Sequence, residues 1–425
     1  MENRYDRYKD SGIAWIGEIP EHWKVKKLGH LYIPRNEKVS DQDYPALSVT
    51  MQGVLLQLEN VAKTNDGDNR KLVKIGDFAI NSRSDRRGSC GISKYDGSVS
   101  LINTVLIPIN DMNPVFYEWL FHSSLFSDEY YRWGHGIVND LWTTKWQEMK
   151  NIQIVAPPLQ EQQSIAAYLD WKCGEIDELI TLQEEMITKL QSYKQSVITE
   201  AVTKGLDKNV PLKDSGIEWI GEIPEHWICT VFKRFLLEPM QYGANEPAEE
   251  CNYYDPRYIR ITDIKDDGTL RDDTFKSLPL GKAKEYMLTK GDLLFARSGA
   301  TVGKTFLYKE DYAACFAGYL IKARCNKNKL VPNFVFYYTL SNVYQNWKNS
   351  IFIQSTIQNI GADKYSVMPI IVPPLSEQQA IADYLNQKCS EIDKLISIKQ
   401  QKIEKLKEYK KSLIFECVTG KRKVS

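Results

Sequence analysis

Apolar residues recur at steps of three and four along two long stretches of this chain. In the first, Ile165, Leu169, Cys173, Ile176, Ile180, Gln183, Ile187, Leu190, Tyr193, Val197 and Ala201 fall on one helical stripe. In the second, Ile381, Leu385, Cys389, Ile392, Ile396, Lys399, Ile403, Leu406, Tyr409, Leu413 and Cys417 keep the same register, 216 residues later. Such spacing predicts amphipathic helices with a coiled-coil-like face. Each stretch follows Pro-Pro, which blocks helix upstream and suits a helix start. About 45 residues at ~1.5 Å rise make a rod of roughly 65 Å, too long to bury its stripe against a small domain. The two matching stripes are therefore expected to bury each other, with Gln183 and Lys399 as polar residues at one seam position that help to set register. The pattern alone fits a parallel or an antiparallel pair. An antiparallel pair would set one domain at each end and give the chain a pseudo-two-fold axis.

The rest of the chain is also written twice. KDSGIAWIGEIPEHW (9–23) returns as KDSGIEWIGEIPEHW (213–227), with one position changed. PPLQEQQSIAAYLDWKCGEIDELI (157–180) returns as PPLSEQQAIADYLNQKCSEIDKLI (373–396), and VITEAVTKG (197–205) is echoed by LIFECVTGK (413–421). The implied division is 1–23, a short block; 24–156, a variable region; 157–205, a long helix; 206–227, a linker and the repeated short block; 228–372, a second variable region; and 373–425, the second helix with a basic tail. The variable regions, 133 and 145 residues long, are each the size of a domain. Short Val/Ile/Phe-rich runs broken by Gly, Asp and Asn, such as ALSVTMQGVLLQ and KIGDFAINSRS, predict strands and turns. Helical pieces are expected near 115–132 and 332–347. The expected class is α+β: two mixed domains separated by two long helices in an internal repeat. The short block reads either as a docking segment against the helix ends, shared with a partner, or as a strap on its own domain.

Composition narrows the function. Lys+Arg and Asp+Glu are 55 each, so the chain is not a strongly basic, free-standing nucleic-acid binder. Residues 24–156 hold 16 basic against 15 acidic residues, and residues 228–372 hold 19 against 15. The eight cysteines form no C-x-x-C pair and have no His cluster beside them, which argues against structural zinc and a disulfide framework and fits a reducing cytoplasm. The N-terminus has no apolar signal-peptide core, and no apolar run is long enough to span a membrane.

A shared scaffold with two different variable domains suits a ligand in two parts, such as duplex DNA with half-sites about 34–36 Å apart. The doubled blocks DSGIxWIGEIPEHW and PPLxEQQxIAxYLxxKCxEIDxLI closely resemble the conserved regions of the specificity subunit of type I restriction–modification enzymes, in order, over essentially the whole chain. LVKIGDFAINSRSDRRGSCGIS (72–93) and LTKGDLLFARSGATVGKT (288–305) are similar to sequences in target-recognition domains of that family. The resemblance implies two target-recognition domains, each reading half of a split double-stranded DNA sequence, and two antiparallel helices acting as a ruler. It implies assembly with two methyltransferase subunits and, for cleavage, two ATP-driven restriction subunits. It places catalysis, S-adenosylmethionine, ATP and magnesium in those partners, with no cofactor, metal or catalytic residue in this chain. The near-neutral charge then implies that the partners supply much of the phosphate clamp.

The candidate base readers follow from side-chain chemistry. Arginine reads guanine O6/N7 and asparagine reads adenine N6/N7. Asn81, Ser82, Arg83, Arg86, Arg87 and Ser89 form one polar segment after the apolar run FAI. Arg297, Ser298, Thr301 and Lys304 follow LLFA in the second region. Gln354, Ser355, Thr356, Gln358 and Asn359 form a further polar cluster, whose counterpart by position is 134–140. Tyr131 and Trp133 are aromatic candidates for stacking on DNA. GATVGKT (299–305) looks like a phosphate loop but has Ser298 where the first glycine belongs. Asp255-Pro256-Arg257-Tyr258 has Arg in place of the second Pro of an amino-methyltransferase motif. The competing classes are a coiled-coil adaptor that joins proteins without reading DNA, and a nucleotide-binding enzyme using the GATVGKT loop.

Overall fold

The computed structural model describes residues 4–57, 67–109, 112–136, 142–248, 251–265, 268–299, 301–353 and 359–424. It divides into two compact units, Met1–Glu184 with Gln400–Ser425, and Glu185–Lys399. The division falls inside both long helices, Leu159–Lys204 and Leu375–Val418. Among the described residues no helix is long and apolar enough to cross a membrane.

In the first unit, a four-stranded antiparallel sheet runs Cys90–Ile92, Phe78–Asn81, Asn103–Pro108, Tyr32–Pro34 in spatial order. Helices Pro114–Phe121 and Ser124–Arg132 cover it, burying Phe116, Leu120, Phe121 and Phe126 in one core with Tyr32, Phe78 and Leu106. The single helical piece expected over 115–132 is thus two helices. The Ser123 hydroxyl donates to the Leu120 carbonyl at 2.6 Å and accepts the Phe126 N–H at 3.3 Å, so it ends one helix and caps the next. In the second unit Ser341 does the same between Pro332–Leu340 and Asn342–Ile353. The sheet there runs Gln241–Tyr242, Leu320–Ala323, Leu293–Ala296, Thr305–Leu307.

Both variable regions are clasped at their ends. Strand Lys24–Lys27 pairs antiparallel with Gln153–Ala156, and Ile228–Val231 pairs with Pro369–Val372. The chain therefore leaves each region next to where it enters it.

The repeated sequence blocks make repeated contacts. Glu161 accepts the Trp23 indole N–H at 3.0 Å, lies 2.6 Å from His22 Nε2 and accepts the Tyr5 hydroxyl at 2.9 Å. Glu377 accepts the Trp227 indole N–H at 2.9 Å and lies 2.8 Å from His226 Nε2. Both indoles are fully buried. Gln162 donates to the Pro157 carbonyl and accepts the Asn113 N–H, both at 2.8 Å. Gln378 does the same with Pro373 at 2.8 Å and Val331 at 2.7 Å. Glu-Gln-Gln in each long block is thus one acid that anchors the short block and one buried amide that ties the helix start to its domain. The short block straps each domain to the helix ends of its own unit.

Each unit holds one portion of each long helix. In the first, Ile165, Leu169, Cys173 and Ile176 share a core with Leu413, Ile414, Cys417 and Val418, and Lys410 Nζ lies 2.7 Å from Asp177. In the second, Ile381, Leu385 and Cys389 share a core with Val197, Ile198, Ala201 and Val202, and Lys194 Nζ lies 2.7 Å from Asp393. The two ion pairs are the same pair under the 216-residue shift. Gln183, Ile392 and Ile403 are buried, while Ile180, Ile187, Leu190, Ile396, Lys399 and Leu406 are half-buried. Tyr193 and Tyr409 are exposed, as suits a ring whose hydroxyl favours water.

Candidate nucleic-acid interface

The polar segment of the first unit begins where strand Phe78–Asn81 leaves the sheet. Asn81 Oδ1 accepts the Arg83 N–H at 3.0 Å, and Ser84–Arg86 form a short 3-10 turn. Ser82 donates its hydroxyl to the Ile102 carbonyl. Arg83, Arg86 and Arg87 are exposed. Arg87 lies over the Tyr131 ring at 3.8 Å from its centroid, with Nη1 3.0 Å from Asp128. That stacking holds one guanidinium in place. Ser89 is buried, and its backbone closes the turn by bonds to Asn81 and Arg86. Its position is structural.

A second segment lies against the first. Arg83 bridges Thr143, and the Thr144 N–H donates to the Ser82 carbonyl at 3.0 Å. The second unit repeats the arrangement: Ser298 bridges Asn359, and the Ile360 N–H donates to the Arg297 carbonyl at 2.8 Å. In both units the polar segment leaving a central strand meets the stretch that precedes the last strand. Arg297, Ser298 and Asn359 are thereby brought together. Gln354, Ser355, Thr356 and Gln358 lie outside the described residues, as do positions 137–140.

Thr301 and Lys304 sit in the connection between Leu293–Ala296 and Thr305–Leu307, with the Lys304 N–H donating to the Thr301 carbonyl at 3.0 Å. GATVGKT therefore joins two antiparallel strands, whereas a phosphate loop needs a strand followed by a helix. Lys348, whose aliphatic chain packs against Gly303, has its ammonium pKa lowered by burial. Arg257 of the Asp-Pro-Arg-Tyr sequence is buried, with Nη1 3.1 Å from the Tyr312 hydroxyl, and Tyr258 donates to the Ala244 carbonyl at 2.7 Å. Both side chains hold the domain together. Trp133 is half-buried and donates its indole N–H to Glu129 at 2.9 Å.

Beneath each segment a repeated ion pair braces the loop before the central strand. Asp77 accepts Arg35 Nε at 2.6 Å and the Lys74 N–H at 2.8 Å. Asp292 accepts Arg324 Nε and the Thr289 N–H, both at 2.8 Å. The hydrogen bonds to Asp77 and Asp292 raise the pKa of Arg35 and Arg324 above the ordinary guanidinium value.

Sequence reasoning missed Tyr242, Thr143, Thr144 and Tyr319. Tyr242 lies under Arg297, 4.8 Å from ring centroid to guanidinium carbon, and the Tyr319 carbonyl accepts the Arg297 N–H at 3.1 Å. No local motif marks these residues. Their only signal is distant: each belongs to a stretch that the topology returns to the end of a central strand.

The family model for the type I restriction modification DNA specificity domain matches residues 243–408. The MjaVIII specificity subunit of a type I restriction enzyme from Methanocaldococcus jannaschii is 25% identical over 424 residues, spanning 96% of this chain and 94% of that protein. The putative MjaX specificity subunit of the same organism is 25% identical over 430 residues, spanning 96% of each chain. A chain solved in a study of complex assembly and conformational transition of the type I R-M system aligns over 94% of this chain and 98% of its own length, with a TM-score of 0.73 and 16% identity. The two share a fold.

Proposed function

We propose that this chain is a specificity subunit of a type I restriction–modification enzyme, one that reads a bipartite DNA sequence and directs its partners to it; the family-model match and the two relatives over nearly the whole chain support this reading. It is a non-catalytic subunit. Residues 24–156 and 228–372 act as the two target-recognition domains, and Asn81, Ser82, Arg83, Arg86 and Arg87 in the first, with Arg297, Ser298, Thr301, Lys304 and Asn359 in the second, face the bases. The observation that carries this reading is the doubled construction: in each unit a polar, arginine-bearing segment leaves a central strand and is bridged to the stretch before the last strand. Base edges are read by a few well-positioned side chains, and such a platform supplies them twice with different residues.

The long helices form the antiparallel spacer between the two readers. Support comes from the paired contacts within each unit, where the early turns of one helix meet the late turns of the other. The same helices offer two equivalent docking faces for methyltransferase subunits. Leu179 and Leu182 on the first are exposed, as are Leu395 and Ile398 at the shifted positions on the second. Exposed apolar side chains repeated at one register fit two copies of one partner. Methyl donor, ATP and magnesium belong to those partners and to the restriction subunits, and the complex works on DNA in the cytoplasm.

The test is to map methylated adenines in cells carrying the methyltransferase subunit with and without this chain. Methylation at one split sequence that depends on the chain is expected. Methylation that is indifferent to the chain, together with complex formation but no preference over random competitor DNA at fixed salt, would favour a protein adaptor instead.

A further inference from the structure

Resting on that reading, we infer that Arg297 reads a guanine in the half-site served by the second unit, with Tyr242 as the residue that positions it. A long arginine side chain loses much rotamer freedom when it must meet one base edge, and pre-organisation removes that cost in advance. Arg297 is held at three points. Its N–H donates to the Tyr319 carbonyl at 3.1 Å, and its carbonyl accepts the Ile360 N–H at 2.8 Å. Its guanidinium carbon sits 4.8 Å from the centroid of the Tyr242 ring.

That ring is itself fixed. Tyr242 pairs with Ile321 across the sheet, and its hydroxyl accepts the Ala362 N–H at 3.0 Å. A guanidinium laid on an aromatic face keeps its N–H donors in the plane, the fork that matches guanine O6 and N7. Arg297 makes no ion pair with a carboxylate among the described residues, and its buried Nε has no hydrogen-bond partner there. Arg87 of the first unit is different: it stacks on Tyr131 but has already given Nη1 to Asp128. Among the described residues beside Arg297, Tyr319 is 65% exposed and Asn359, bridged to Ser298, is also exposed.

The experiment uses the full chain assembled with its methyltransferase subunit. Methylated sites are mapped for the wild type, Arg297→Ala, Arg297→Lys and Tyr242→Leu, and binding is measured on duplexes substituted at each base pair, at two salt concentrations. The wild type is expected to require a G·C pair at one position of one half-site. Arg297→Ala should lose roughly 10–100-fold of discrimination at that position alone. Arg297→Lys should fall between, since an ammonium keeps charge without the fork, and Tyr242→Leu should weaken the same position and no other. Unchanged reading of the other half-site shows that each variant is folded. The inference is overturned if no G·C pair is required in either half-site, or if Arg297→Ala leaves discrimination intact at every position. It is also overturned if that variant weakens all sequences alike with a salt slope reduced by about one, as loss of a phosphate contact does. A wild-type complex that methylates without sequence preference would instead sink the specificity reading itself.

Discussion

Glu161 shows how much one side chain of the repeated blocks does. Burial alone would raise its carboxyl pKa, but the hydrogen bonds from Trp23, His22 and Tyr5 outweigh that and hold it below the ordinary carboxylate value. The Tyr5 hydroxyl is raised in turn, by burial first and by Glu161 second. Glu161→Ala leaves the indole of fully buried Trp23 without its acceptor, a loss of about 1–3 kcal/mol. It should appear as a lower urea midpoint at unchanged slope. The pH dependence has a definite sign. A carboxylate whose pKa is depressed in the folded state stabilises it above its unfolded value, near 4.3, and the contribution disappears as pH falls through the depressed value. The gap in midpoint between wild type and Glu161→Gln should therefore narrow in acid and be full at neutral pH. A gap that widens in acid would contradict this account. At this scale the sequence named the acid only as part of a repeated string. That it faces Trp23, 138 residues away, is visible only in the fold.

A glycine follows the end of each long helix, Gly205 directly after Lys204 and Gly420 two residues after Val418, one position out of register between the repeats. Gly205 and Gly420 have φ of 78° and 74°, the left-handed conformation of a helix C-terminus. Each backs onto a buried tryptophan of the short block. A Cβ on Gly205 would stand 3.1 Å from Trp227 Cζ2, whereas one on Gly420 would stand 2.3 Å from Pro20 Cδ and 3.0 Å from Trp23. Alanine at either position costs about 1–2 kcal/mol in backbone conformation. Gly420→Ala adds a clash that the ring of Pro20 cannot easily relieve. Thermal unfolding should show both variants destabilised, Gly420→Ala the more. The helices themselves were legible, since a period of three and four sustained over eleven positions has no other reading. The strength of each seam position was not. Leu169 and Leu385 are fully buried, while Tyr193 and Tyr409, in the same stripe, are exposed. Burial depends on which neighbouring domain adds a second wall, and a one-dimensional stripe does not carry that information.

For the molecule as a whole, the clasped ends of the variable regions matter most. Because Lys24–Lys27 pairs with Gln153–Ala156, the region between them can be exchanged without moving the helix that follows. On the proposed function, replacing residues 24–156 by the corresponding region of a type I specificity subunit should change one half of the methylated sequence and leave the other half as it was. Mapped methylation that changes in both halves would refute independent reading. The clasp also fits how little repetition survives within the variable regions: the ladder and the short block must match the helices, whereas the remaining surface is free to differ.

The internal duplication, the two long helices and the α+β character of the variable regions were all present in the order of residues, because each rests on periodicity or identity within a stretch of chain. The polar segments after FAI and LLFA were also visible, since side-chain type is itself the signal. Tertiary structure alone decided which of those polar residues are open. It buried Ser89 in the turn, set Tyr242 beneath Arg297, and brought Asn359 beside Ser298. Those outcomes depend on sheet pairings between residues tens of positions apart, and a pairing is a property of two strands at once that neither strand's own sequence records.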